Sequence, residues 1–137
     1  RDLSLVLGKE FSGEGEDRRR EAAEAGFAAF PDLKLIASTA RHTVSADHHR
    51  IAARVDLRAG GYQTAETDVT GIVDRIGAGD AFAAGVLHAH LGGGDAKAMA
   101  ESGLALTCLK HSLPGDASLF GPADIDAFMA GGLDVRR

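Results

Sequence analysis

The run Val73-Asp74-Arg75-Ile76-Gly77-Ala78-Gly79-Asp80-Ala81-Phe82-Ala83-Ala84-Gly85 constrains this chain more than any other stretch. An apolar strand end passes through a Gly-Ala-Gly turn straight into a helix of small residues. That order leaves the backbone N–H groups of Ala78, Gly79 and Asp80 at a helix N-terminus, where unsatisfied donors and aligned peptide dipoles favour an anion. A carboxylate at Asp80 would repel that anion unless it is used. The use that fits is to accept the proton of a hydroxyl attacking a bound phosphoryl group. The plainer alternative is a tight entry turn and an Asp-capped helix.

Composition sets the outer limits. A chain of 137 residues with 45% hydrophobic and 26% charged residues supports one soluble domain with a real core. The net charge of −5 argues against a general nucleic-acid or membrane surface. Cys108, the single cysteine, lies in an apolar run and reads as a buried thiol of a cytoplasmic protein. No stretch has the uninterrupted apolar length of a membrane span, and no signal peptide is visible. The chain begins at Arg1 rather than Met, which leads us to expect a fragment or a processed product.

In chain order, Leu3–Leu7 reads as a buried strand ended by Gly8-Lys9-Glu10. Ala22, Ala23, Gly26, Phe27 and Phe30 recur at helical spacing from Glu16 to Phe30, with Arg18-Arg19-Arg20 on a solvated face and Pro31 as the stop. Leu33–Ser38 then reads as a second strand, completing a parallel strand–helix–strand unit. Ile51, Ala53, Val55 and Leu57 alternate with polar and small residues as a half-buried strand closed by a Gly60-Gly61 turn. Val69–Val73 is the next strand, and Phe82–Leu91, apolar almost all round, predicts a buried helix. Asp95 is an N-cap for a helix through Lys110, and Pro122–Met129 is a last helix followed by Gly131.

The segment Asp74–Gly85 resembles the second signature of the PfkB/ribokinase family of sugar kinases, D-x-x-G-A-G-D-x-F-x-x-G. It is not a Walker A loop, because no Gly-Lys-Ser/Thr follows, and it is not G-x-G-x-x-G. The run Leu109–Asp116, the closing Asp134-Val135-Arg136-Arg137 and Val73–Ile76 are similar to the 2-keto-3-deoxygluconate kinases of that family. The resemblance implies an α/β, ribokinase-like three-layer fold, with a mostly parallel sheet, flanking helices and an antiparallel hairpin region. Residues 1–137 would be the C-terminal part of such a domain, lacking the N-terminal half and its lid.

The activity implied is ATP-dependent phosphorylation of a sugar acid, 2-keto-3-deoxygluconate to its 6-phosphate. The alternatives are a ribokinase- or fructokinase-like sugar kinase and a catalytically inactive nucleotide-binding fragment. By the same resemblance, Asp80 is the catalytic base, and Gly77, Ala78, Gly79 and Asp80 form the anion hole for the ATP phosphates. Ser38, Arg41 and Ser102 flank the nucleotide, with the helix around Ser102–Leu106 on its adenine side, and Asp116 contacts substrate. ATP and Mg²⁺ are the implied cofactors, together with the monovalent cation that many family members bind near this loop. The partners are the sugar acid and ATP, with room for a homo-oligomeric full-length enzyme.

Two stretches depart from the family pattern. Lys9 and Ser12 stand where many members have the Asn and Glu of an Asn-x-x-Glu motif, so no metal ligand is assigned. Ser38–Thr43 lacks the usual glycines of the nucleotide loop. His48-His49 and the pair His88 and His90 have poor spacing for a metal and read as exposed or packed residues. Asp74 reads as a loop-fixing residue.

Overall fold

The computed structural model describes residues 2–131. The ending Asp134–Arg137 invoked above lies outside them.

Helix α1 (Asp2–Leu7) occupies the stretch expected to be the first strand. A leucine-rich run is as good a helix as a strand. Among the described residues no strand is available to pair with it, and Leu3, Ser4 and Leu7 turn inward while Leu5 and Val6 stay exposed. Leu3 nestles against Gly26 of α2 (Gly15–Ala29), where a Cβ would press on the Leu3 and Ile36 methyls.

The sheet is antiparallel throughout the described residues, not mostly parallel. Strand β1 (Leu35–Thr43) runs into β2 (His48–Leu57) through a tight turn in which the Val44 and Ser45 N–H groups both donate to the His48 carbonyl. That short connection forces antiparallel pairing, with Leu35 opposite Leu57 and Thr43 opposite His49. Along its other edge β2 pairs with β3 (Gly60–Gln63) and then β4 (Thr67–Thr70). Gly60 and Gly61 thus open β3 rather than form the turn. Between the two pairings the register slips by one residue, a bulge that Thr64 repairs. Its N–H donates to the Ala53 carbonyl at 2.9 Å, and its Oγ1 accepts the Ala53 N–H at 3.0 Å.

Strand β2 is buried on both faces, not one. Ile51, Ala53 and Val55 enter the main core with Val69, Phe82, Val86, Met99, Leu104, Ile125 and Phe128. The opposite face carries Arg54 and Asp56, a buried ion pair at 2.7 Å and 2.8 Å. Helix α2 covers that face with its arginines. Arg20 bonds Asp56 and the Leu57 and Arg58 carbonyls, and Arg19 bonds Gln63, so these side chains clasp the sheet instead of forming a solvated face.

Helix α4 (Ala96–Lys110) is the buried helix of the molecule. Asp95 caps it, its Oδ1 accepting from the Ala98 N–H at 2.8 Å. Helices α3 (Ala78–Leu91) and α5 (Pro122–Ala130) pack on it. A Cβ on Gly85 of α3 would fall 2.5 Å from the Ser102 carbonyl oxygen, so the two helix backbones touch. Only one face of α3 is buried; Leu87 and Leu91 are exposed, contrary to the all-round burial its composition suggests. Burial pushes the Cys108 thiol up to about 12.

Candidate active site

The chain leaves β4 and crosses to the end of α4, where the Val73 N–H donates to the His111 carbonyl at 2.9 Å. Asp74 then fixes the turn. Its Oδ1 accepts from the Ile76 N–H at 3.0 Å and its Oδ2 from the Gly115 N–H at 2.9 Å. These bonds hold the Asp74 carboxyl below the ordinary carboxylate range. One is a local turn bond and the other joins two loops, so Asp74 is structural.

Gly77 follows in the left-handed region at φ 76° and ψ −2°. A Cβ there would also collide with the Asp116 main chain, so glycine is required on both counts. Helix α3 starts at the next residue. The Ala78 N–H turns back to the Arg75 carbonyl at 3.2 Å, and the Ala81 N–H takes the Gly77 carbonyl at 2.9 Å. Of the three N–H groups expected to be open, those of Gly79 and Asp80 have no protein acceptor among the described residues, and that of Ala78 is spent on the turn.

Ala78 and Gly79 border a cleft of about 510 Å³. Thr39 and Arg41 of β1 line one side, Arg75 stands beside the turn, and Thr107 and His111 of α4 line the other. Among the described residues neither Arg41 nor Arg75 has a carboxylate within ion-pair distance. Arg41, Arg75 and a helix N-terminus therefore share one cavity without a carboxylate in ion-pair contact with either arginine, which suits a multiply charged anion. Asp80, next to Gly79 in the first turn of α3, is exposed.

A chain of bonds ties α4 to this turn. Thr107 Oγ1 donates to the Ala78 carbonyl at 2.8 Å, and His111 Nδ1 donates to the Thr107 carbonyl at 2.6 Å. His111 Nε2 is then an acceptor, buried and without a protein partner. Burial lowers the pKa of His111, and the charges of Arg41, Lys110 and Arg75 act in the same direction against the Thr107 bond. Behind it, His49 stands edge-on to its ring with centroids 6.4 Å apart.

Of the expected set, Ala78, Gly79 and Arg41 line the cleft, and Gly77 and Asp80 flank them in the turn. Ser38 faces the other side of β1, in a separate cavity with Leu3, Arg19 and Asp56, because alternate residues of a strand point to opposite faces. Ser102 is buried where α4 meets α3, and Gly103 fills the same contact against Phe82 and Val86. Ser102 and Gly103 thus face α3 and Leu104 faces Tyr62 and Phe128, while Thr107 and His111, one turn apart, face the cleft. Asp116 lays its main chain on Gly77 and is itself exposed. His48 pairs with Asp68 at 2.5 Å, and His88 and His90 are exposed.

No protein-family model and no curated protein matches the chain. Solved structures do. Superposition on 2-dehydro-3-deoxygluconokinase from Thermotoga maritima gives a TM-score of 0.86 at 29% identity, over 95% of this chain and 39% of that one. A PfkB family carbohydrate kinase from Listeria grayi gives 0.79 at 29% identity, also over 95% and 39%. The fold is that of the PfkB-type carbohydrate kinases. A putative 2-keto-3-deoxygluconate kinase from Enterococcus faecalis shares it, with a TM-score of 0.85 at 24% identity over all of this chain and 40% of that one. The chain thus spans about 40% of the length of these PfkB-type relatives. Among the described residues there is no group of three or more His, Cys, Asp or Glu that could hold a metal ion. No described helix is long and apolar enough to cross a membrane.

Proposed function

We propose that the cleft binds the phosphates of ATP and that Asp80 prepares a sugar-acid hydroxyl for phosphorylation, with 2-keto-3-deoxygluconate as acceptor and its 6-phosphate as product. The observation that carries this reading is the convergence of Ala78 and Gly79 with Arg41 and Arg75 on one cavity, at a helix start where the Gly79 and Asp80 N–H groups are open and Asp80 is exposed. Donors fixed before the ligand arrives stabilise charge on the transferring group without reorganising. Asp80, exposed in the same turn, would take the proton of the attacking hydroxyl. The likeness to kinases of known acceptor supports the choice of a sugar acid.

The 137-residue chain by itself supports nucleotide binding with little or no turnover. Phosphoryl transfer depends mostly on positioning. The described residues supply a phosphate cradle and an acid, and the chain spans about 40% of its relatives.

Calorimetry of the chain with ATP, and phosphorylation assays with 2-keto-3-deoxygluconate, ribose and fructose in a polypeptide that joins this chain to the remainder of a PfkB-type fold, test both parts. Binding of ATP together with preferred transfer to the sugar acid is expected. Absence of ATP binding overturns the cleft assignment, and preference for ribose or fructose overturns the acceptor.

A further inference from the structure

Lys110, the last residue of α4, heads the fully buried side chains by volume and has 0% relative exposure. Its ammonium donates to the Leu113 carbonyl at 2.9 Å, and its own carbonyl accepts the Leu113 N–H at 3.0 Å. An ammonium has three protons to place, and among the described residues this acceptor is its one hydrogen-bond partner and no carboxylate lies within ion-pair distance. An under-satisfied buried charge is costly, and an apolar side chain of similar length would fill the space more cheaply.

The position of this charge accounts for its presence. Lys110 sits between Thr107 and His111, which line the cleft, and it anchors the loop whose Asp116 main chain packs on Gly77. Its charge reaches Asp74, which links that loop to the turn, and His111 on the cleft wall. We infer that Lys110 is a fixed cation beneath the phosphate cradle: a positioning residue that holds the 111–116 loop against the turn and favours polyanions in the cleft through space, without touching them. The inference rests on reading the cleft as a phosphate site.

Inorganic orthophosphate, pyrophosphate and triphosphate form a charge series that separates an electrostatic role from a packing one. Their affinities for the chain would be measured by calorimetry at constant ionic strength, for wild type, Lys110→Met and Lys110→Arg. The expected result is a loss of about tenfold for triphosphate in Lys110→Met, shrinking toward orthophosphate and largely restored in Lys110→Arg. No loss, or an equal loss across the three ions, overturns the inference. Should Lys110→Met fail to fold, the Lys110 ammonium resonance of the wild-type chain gives the answer. It should shift as triphosphate saturates the cleft, and an unmoved signal overturns the inference. If the wild-type chain binds none of the three ions, the phosphate reading itself falls and this one with it. If it binds them and the variants match it, only the role of Lys110 is lost.

Discussion

The main chain of Asp116 fills the space that any side chain on Gly77 would need. Two separate constraints meet at residue 77, since its backbone is also left-handed. Gly77→Ala therefore adds a backbone cost of about 1–2 kcal/mol to a collision that pushes the 111–116 loop away from the turn. The expected outcome is a lower melting temperature together with at least a tenfold loss of ATP affinity by calorimetry. Gly79→Ala, where nothing stands within 4 Å of a new Cβ, should leave the melting temperature near that of wild type.

Asp80→Asn tests the acid directly. The variant keeps the main-chain donors and removes a negative charge from the first turn of α3, so ATP affinity should hold or rise. In a polypeptide completing the kinase fold, the rate of transfer should fall by about 10²–10⁴ if the carboxylate takes the hydroxyl proton. Near-normal turnover in a coupled assay would remove Asp80 from that role.

The buried pair under α2 should be expensive to break and cheap to replace. Asp56 bonds Arg54 twice and Arg20 once, and the Arg54–Asp56 side chains are 5% and 3% exposed. Asp56→Ala leaves the buried Arg54 with only the exposed Glu16 carboxylate at 3.8 Å, and should cost about 3–5 kcal/mol in urea unfolding. The double change Arg54→Met with Asp56→Leu should recover most of that loss.

Stability should fall on mild acidification. His49 and His111 are both buried and carry pKa values lowered from 6.5. The unfolded chain then binds protons at these sites that the folded chain refuses, so stability is full above about pH 7 and declines as pH drops through 6.5 toward the lowered folded values. Urea titrations at pH 7.5, 6.5 and 5.5 should show this slope, and His49→Leu should flatten part of it.

What could be read from residues alone was what is fixed locally. Asp95, the Gly77–Asp80 turn and the Pro122 helix each announce themselves within a few residues, and α2, α4 and α5 lie within a residue or so of the expected spans. Leu3–Leu7 was ambiguous because an apolar run fits strand or helix equally, and the decision rests on which partners are present. The double burial of β2 and the arginine clasp depend on α2 lying across the sheet, which no periodicity encodes. The same holds for the cleft. Its turn was legible, but Arg75, Thr107, His111 and Lys110 become site residues only once α4 is docked against α3, and that docking turns Ser102 away.

Among the described residues β1 bonds a neighbour along one side only, and its other margin keeps the N–H and C=O groups of alternate residues unclaimed. Such a margin is a template, and whatever strand reaches it first is copied onto it. A solution of this chain should accordingly thicken into higher assemblies as concentration rises, and a polypeptide that lays its own strand along residues 35–43 should stay dispersed.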